Sequence, residues 1–110
     1  MKNTSGLRPL GRAVLVKPYQ PEVKKGLIEL PEAVNTSLQV IEQRAIVIEA
    51  GPAAWHEEIQ NGFGPRAKPG DKVLISGYSG QMCKGTADGE QYRVINDRDI
   101  FTQIEVETND

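Results

Sequence analysis

The apolar residues of this chain fall into short runs, each ended by proline, glycine or a turn-forming pair, and none sustains a long helical period. The clearest run is Arg12 to Pro18, RAVLVKP, closed by its proline. Arg44 to Gly51, RAIVIEAG, is a second, ended by glycine, and Lys72 to Ser76, KVLIS, is a third. Gln81 to Lys84 is a weaker candidate. Asp88-Gly89 is a hairpin signal that leads into Gln91–Ile95. A last run, Ile100 to Val106, places Ile100, Thr102 and Ile104 on one side and Phe101, Gln103 and Glu105 on the other. Between the runs lie turns, with Pro69-Gly70-Asp71 the strongest, then GYSG and the Asn96–Asp99 stretch. Pro52 is placed to open a short helix that Gly62 closes. Residues 1–6 are polar and expected to fray. Short β-branched runs alternating with turns predict an all-β fold, a small irregular antiparallel β-barrel, with residues 1–110 forming a single domain.

Bulk properties narrow the function classes. A chain of 110 residues supports one modest core. A formal charge of -2 with no Lys/Arg cluster provides no footprint for nucleic acid or for an anionic membrane surface. One cysteine, Cys83, excludes an internal disulfide and fits a reducing compartment. No apolar run approaches the roughly 18–20 residues that span a bilayer, and the opening residues lack a signal-peptide core. The expected location is the cytoplasm.

Catalytic chemistry is not expected. His56 is the only histidine, and with one distant cysteine it makes no zinc set. It reads as a surface or turn residue. Gly77-Tyr78-Ser79-Gly80-Gln81 misses the second glycine of a nucleophile elbow and reads as a tight turn. Glu57-Glu58 and the Asp97/Asp99 pair read as solvated turn charges, and Cys83 as a small, half-buried residue. Trp55, the only tryptophan, reads as a packing anchor. No cofactor is expected.

The long stretch from Tyr19 to Gln43 is different. It is rich in Pro, Glu, Lys, Asn and Ser and holds a single apolar island at Leu27–Leu30. Loops of this length inside compact domains are commonly functional or disordered. In an extended chain Ile28 and Leu30 share a side and Glu29 points away. Gly26 permits the turn into the island, and Pro31 ends it. The residues alone leave two readings open: an edge strand on the domain's own core, or an anchor for a partner.

In order along the chain, the motifs resemble those of the ten-kilodalton co-chaperonins, the GroES family. LRPLGRAVLVKP (Leu7 to Pro18) resembles that family's opening strand, and KKGLIELPE (Lys24 to Glu32) its mobile loop. RAIVIEAGP resembles the strand before the roof loop, and AKPGDKVLISGYSG a characteristic strand and turn. DGEQYRVINDRDIFTQIE resembles the final hairpin and closing strand. The resemblance runs from about Gly6 to Glu105 and is most specific in these last two motifs.

It implies a GroES-like β-barrel with a mobile loop at about residues 20–40 and a roof segment at about 51–68. The implied function is that of a ring-shaped lid which binds a nucleotide-bound GroEL-type chaperonin and caps its folding chamber over an unfolded client. ATP would be held by the partner. The implied assembly is a homo-oligomer, a heptamer. Chaperonin contacts would come from Gly26, Leu27, Ile28, Glu29, Leu30 and Pro31. Subunit contacts would come from Leu7, Arg8, Pro9 and Leu10 against Ile100, Phe101 and Ile104 of a neighbour, and Trp55 and His56 would lie in the roof. Burial of Ile28 and Leu30 in a partner groove would contribute about 3–6 kcal/mol. Ordering a mobile segment costs about 2–5 kcal/mol. One loop would therefore bind weakly, and several on one ring would bind strongly through effective concentration.

The chain departs from the family pattern at four places. Glu29 stands where an apolar residue is usual, and Leu27 where a second glycine is usual. Arg12-Ala13 replaces an Asp-Arg pair. PAAWHEEIQNG reads more helical than a short roof hairpin. Such departures suit a virus-encoded or otherwise specialised lid, which would work in the host cytoplasm. Two rivals are a ring-forming structural module without a chaperonin partner and a zinc alcohol dehydrogenase-like barrel domain. The second lacks both room for a nucleotide-binding domain and an evident ligand set.

Overall fold

The computed structural model describes residues 2–19, 43–76 and 79–106. Six strands and one short helix follow in order: β1 (Ala13–Tyr19), β2 (Gln43–Ala50), α1 (His56–Gln60), β3 (Lys72–Ile75), β4 (Gln81–Lys84), β5 (Gln91–Asn96) and β6 (Ile100–Gln103). A single turn of 3-10 helix, Asp97–Asp99, joins β5 to β6. The strands form one six-stranded sheet in the order β4-β5-β1-β2-β3-β6. Every neighbouring pair is antiparallel. The all-β class expected from the turn spacing therefore stands. Strand pairing does not close the barrel among the described residues: β4 and β6 end the order as edges.

Period-two alternation explains where the core sits. On β1, Val14 and Val16 face one side and Leu15 the other, and all three are fully buried. On β2, Ala45 and Val47 join the first side, whereas Ile46 and Ile48 join the second. The two central strands are therefore covered on both faces. The larger core adds Val73, Ile75, Ile95 and Ile100 from the sheet and Ala54, Trp55 and Ala67 from the segment between β2 and β3. The smaller one packs Leu15, Ile48 and Tyr92 beneath Leu7 from the N-terminal segment. The interior is thus closed by irregular chain laid over the sheet.

Pro18 lies within β1, which a residue lacking an N–H tolerates only at an edge. The pairing accounts for it. β5 runs alongside β1 only as far as Val16, so at Pro18 the strand has a single neighbour, with Ala45 opposite.

Four local expectations need correction. Pro52 does not open the helix: residues 52–55 are turns, and α1 starts at His56. Trp55 just before it has φ 55, a left-handed conformation that interrupts any continuous helix from Pro52. At the other end Gly62 closes the helix, with its N–H donating to the Ile59 carbonyl at 3.1 Å. The last strand stops at Gln103, and its alternation is reset by an extra residue. Ile75 pairs with Ile100 but Leu74 pairs with Thr102, so Phe101 has no opposite number. Ile100 is accordingly buried while Thr102 is exposed. Nor does the N-terminus fray throughout. Ser5 is fully buried, because its hydroxyl donates to Asn3 Oδ1 at 2.6 Å and its carbonyl accepts from Ala87 N at 2.8 Å. Finally, Asp97 is not a solvated turn charge: it is 5% exposed and hydrogen-bonded within the protein.

Gly80, at the entry to β4, has φ +66, and an added Cβ would lie 2.0 Å from the Val94 carbonyl oxygen. Both the left-handed backbone and the close approach of β5 require glycine. Gly80→Ala should destabilise the protein by at least about 2 kcal/mol in urea denaturation. Gly62→Ala, where φ is +88 but nothing lies within 4 Å, should cost only about 1 kcal/mol.

Candidate functional site

Three regions carry the sequence-derived site residues, and the sheet positions each differently. The first is the segment between β1 and β2. Gly26, Leu27, Ile28, Glu29, Leu30 and Pro31 lie outside the described residues. Its stems are described: Tyr19 is paired with Arg44, so the chain leaves and re-enters the sheet at adjacent positions. The β1–β2 pairing behind them runs from Val14↔Ala50 to Tyr19↔Arg44. The Lys72 ammonium lies 5.4 Å from the centre of the Tyr19 ring, adding a cation–π contact at the stem.

The second region joins the N-terminal segment to the sheet edges. Leu7 is half-buried on the smaller core, Pro9 is buried, Arg8 is exposed and Leu10 is 66% exposed. Side chains close to the N-terminus hold this segment down. Asn3 Nδ2 donates to the Leu7 carbonyl at 2.6 Å and to Glu49 Oε1 at 2.8 Å, and Thr86 Oγ1 donates to the Gly6 carbonyl at 3.3 Å. At the opposite end of the sheet order, Phe101 is 56% exposed and Ile104 half-buried. Ile100 is a core residue, so its side chain is not available at a surface. Within one subunit β6 pairs with β3 alone.

The hairpin beneath the N-terminal segment has its own polar clasp. The Tyr92 hydroxyl donates to Asp88 Oδ2, and the Glu90 N–H donates to Asp88 Oδ1 at 3.0 Å. These donors hold the Asp88 carboxyl below its usual range, the tyrosine bond contributing most. The same bond pushes the Tyr92 phenol up. Lys17 reaches across from β1, its ammonium 3.2 Å from Glu90 Oε1 and 5.9 Å from the Tyr92 ring centre.

The third region is the segment from Gly51 to Lys68. Its Trp55 is 4% exposed and lies in the larger core, while His56 is exposed. Trp55 is held from two directions by one residue. Its backbone N–H donates to Asp97 Oδ2 at 2.8 Å, and its indole Nε1 donates to the Asp97 carbonyl at 2.9 Å. Arg66 did not stand out in the sequence and Asp97 read there as a solvated turn charge, although both anchor this region. The Arg66 guanidinium contacts Glu58 Oε1 through Nε at 2.8 Å and Nη2 at 2.7 Å, and through Nη1 it donates to the Ile100 carbonyl at 2.7 Å. The Glu58 hydrogen bond raises the pKa of Arg66 above its ordinary value. The only available sequence signal was the spacing of the DRD turn directly before the last strand. It announced a turn without indicating that one acid would point inward.

Among the described residues no group of three or more His, Cys, Asp or Glu is placed to hold a metal ion. Cys83 is half-buried against the smaller core. Among the same residues no helix is long and apolar enough to cross a membrane. Among the described residues Leu10 and Phe101 are apolar side chains left exposed, and such side chains suit contact with other macromolecules.

Comparison with known proteins decides which. The family described as the chaperonin 10 Kd subunit matches residues 6–104. The chain belongs to that family. Its function is that of a co-chaperonin. A co-chaperonin GroES of Methylacidiphilum infernorum is 39% identical over 100 residues, covering 90% of this chain and 94% of that one. A co-chaperonin GroES of Caldicellulosiruptor saccharolyticus is 37% identical over 102 residues, covering 90% and 97%. One of Rhodothermus marinus is 34% identical over 104 residues, covering 92% and 94%. These relatives are co-chaperonins, which are not enzymes. The resemblance read from the motifs is therefore correct, and it extends over nearly the whole chain.

Asp97→Ala should leave the buried Trp55 N–H without an acceptor, at a cost of about 1–3 kcal/mol in denaturation midpoints. Fluorescence of the sole tryptophan should shift to the red as its packing loosens. Tyr92→Phe should show a pH-dependent loss. The lowered Asp88 pKa stabilises the fold fully above the ordinary 3.8 and loses that contribution as pH falls through the lower folded value. The advantage of the native chain over Tyr92→Phe should therefore be full at neutral pH and shrink in acid. The raised Tyr92 pKa acts in the opposite sense, with its contribution present below the ordinary 10.0 and lost as pH rises through the folded value. Urea titrations across this range read both limbs.

Proposed function

We propose that this chain is the subunit of a ring-shaped lid that docks on a GroEL-type chaperonin in its nucleotide-bound state and caps the folding chamber. The family match across residues 6–104 carries this reading. The subunit is one domain with no catalytic role of its own, and the nucleotide is bound by the chaperonin. Its setting is the cytoplasm, and the captive client is an unfolded protein.

Docking is assigned to Gly26–Pro31, with Ile28 and Leu30 as anchors and Leu27 assisting. The pairing of Tyr19 with Arg44 supports this assignment, because it sets the two ends of the connection side by side. Each anchor pair binds weakly, and the ring sums the contacts through effective concentration. A lid that must leave in each cycle benefits from that division.

Assembly is assigned to the N-terminal segment of one copy and the β6 edge of the next, in a ring of seven. Leu10 at 66% exposure and Phe101 at 56% are the apolar side chains that such a contact would cover. Ile100 itself is committed within the subunit, its side chain to the core and its carbonyl to Arg66. Residues 51–68 form the roof. There α1 replaces a simple hairpin, and His56 faces outward while Trp55 ties the roof down.

Mixing the protein with a chaperonin ring and nucleotide should give a co-eluting complex in size-exclusion chromatography. Ile28→Asp should abolish the complex and leave the free oligomer at its original elution volume. A variant that still caps the ring would remove Ile28 from the anchor role. A native oligomer that never meets a chaperonin would favour a ring-forming module of another kind.

A further inference from the structure

The roof segment is tied to the rest of the subunit on three sides. On the first, Gly51 N donates to the Ala13 carbonyl at 2.7 Å and Ala53 N to the Gly11 carbonyl at 2.9 Å, with the exposed Arg12–Glu57 pair at 3.2 Å alongside. On the second, Trp55 is fastened to Asp97. The first ends at the entry to β1, and the second on the 3-10 turn that joins β5 to β6. The third ends elsewhere. Arg66 grips Glu58 of α1 with two nitrogens, and with the third it holds the carbonyl of Ile100, the first residue of the edge strand β6.

A guanidinium is a planar, pre-organised fork, so its two ends move together. Its hydrogen bonds are charge-assisted at both ends, to a carboxylate and to a backbone oxygen. Ile100 is also the point where the β3–β6 register shifts, so the backbone held by Arg66 adjoins the bulge at Phe101. Bulges are places where a strand bends, and pairing on the outer edge fixes that bend. Helix α1 has only five residues, too few to be stable without outside contacts.

We propose that Arg66 is a positioning residue that transmits assembly to the roof: pairing of the β6 edge with a second copy of this chain fixes the Ile100 carbonyl, and through Arg66 and Glu58 it tightens α1. The inference rests on the ring reading above, with β6 as the edge that meets the next subunit. The roof over the chamber is then firm in the assembled lid and loose in a separated subunit. This also gives Glu58 a role that Glu57, paired at the surface with Arg12, does not share.

Hydrogen exchange by mass spectrometry tests this on the full chain, with sedimentation velocity reporting the oligomeric state. The reporters are the α1 amides, including Ile59 N to the Trp55 carbonyl at 2.9 Å, Asn61 N to the Glu57 carbonyl at 3.0 Å and Phe63 N to the Glu58 carbonyl at 2.9 Å. Strand β2 serves as the internal control. In the native chain, exchange over residues 56–64 should slow by about tenfold from the dissociated to the assembled state, the scale of one charge-assisted hydrogen bond. Arg66→Gln and Arg66→Lys should still assemble but lose most of that difference, since a single ammonium cannot span both partners. Glu58→Gln, which weakens only the helix end of the fork, should lose part of it.

An unchanged difference in assembled Arg66→Gln or Glu58→Gln would overturn the inference. So would a native oligomer whose roof exchanges no more slowly than that of the separated subunit. A native chain that stays monomeric at every concentration would overturn the ring reading and this inference with it, and sedimentation distinguishes that failure from the others.

Discussion

The double attachment of Trp55 to Asp97 is the contact on which the larger core depends. An open antiparallel sheet with apolar residues on both faces of its central strands cannot stand in water without cover. Among the described residues strand pairing does not supply that cover, because the order ends at β4 and β6. The cover for one face is the roof segment, with Trp55 as its largest apolar group. Trp55, left-handed at the start of α1, lends its carbonyl to the helix but has no helix or ladder partner for its N–H. Asp97 takes that role by accepting the backbone N–H, and its carbonyl accepts the indole N–H that would otherwise be buried without a partner. The carboxylate is buried in return, so attachment and core are mutually dependent.

The second face follows the same logic with a different closure. Leu7 lies over Leu15, Ile48 and Tyr92, and a polar network through Asn3, Ser5 and Thr86 fixes the segment that carries it. Both covers are irregular chain, and both adjoin the elements through which a co-chaperonin would contact its neighbours. The N-terminal cover ends in exposed Leu10, and the roof is tied by Arg66 to the start of β6. The segments that pack the subunit therefore also carry exposed or edge-linked groups.

Much of the fold was legible in the sequence. RAVLVKP, RAIVIEAG and KVLIS each became a strand, and the alternation within the first two sorts their side chains onto the two cores. Even the weak candidate at Gln81–Lys84 is a strand, paired with Gln91–Val94 of β5. Period and punctuation are local properties, and local geometry enforces them. The errors arose where a distant group changed the outcome. The alternation of Ile100, Thr102 and Ile104 fails because β3 meets β6 with a residue to spare. Asn3 and Ser5 look like frayed chain until Leu7 and Glu49 are brought beside them. Within the candidate site, Tyr19 and Arg44 are paired, while Gly26–Pro31 lie outside the described residues. Ile100 moved from expected surface to core, and Arg66 was missed.

The sequence by itself determined the all-β class, the strand positions, the absence of a disulfide within the chain and, through the order and spacing of its motifs, the co-chaperonin family. Those features depend on residue type and on separation along the chain, which a sequence displays directly. Only the tertiary structure decided that one acid of the DRD turn faces inward, that the barrel interior is closed by roof and N-terminal segments, and that an arginine joins the roof to an edge strand. Each of these depends on groups far apart in the chain meeting at hydrogen-bonding distance, and neither composition nor period records which of many possible partners will meet.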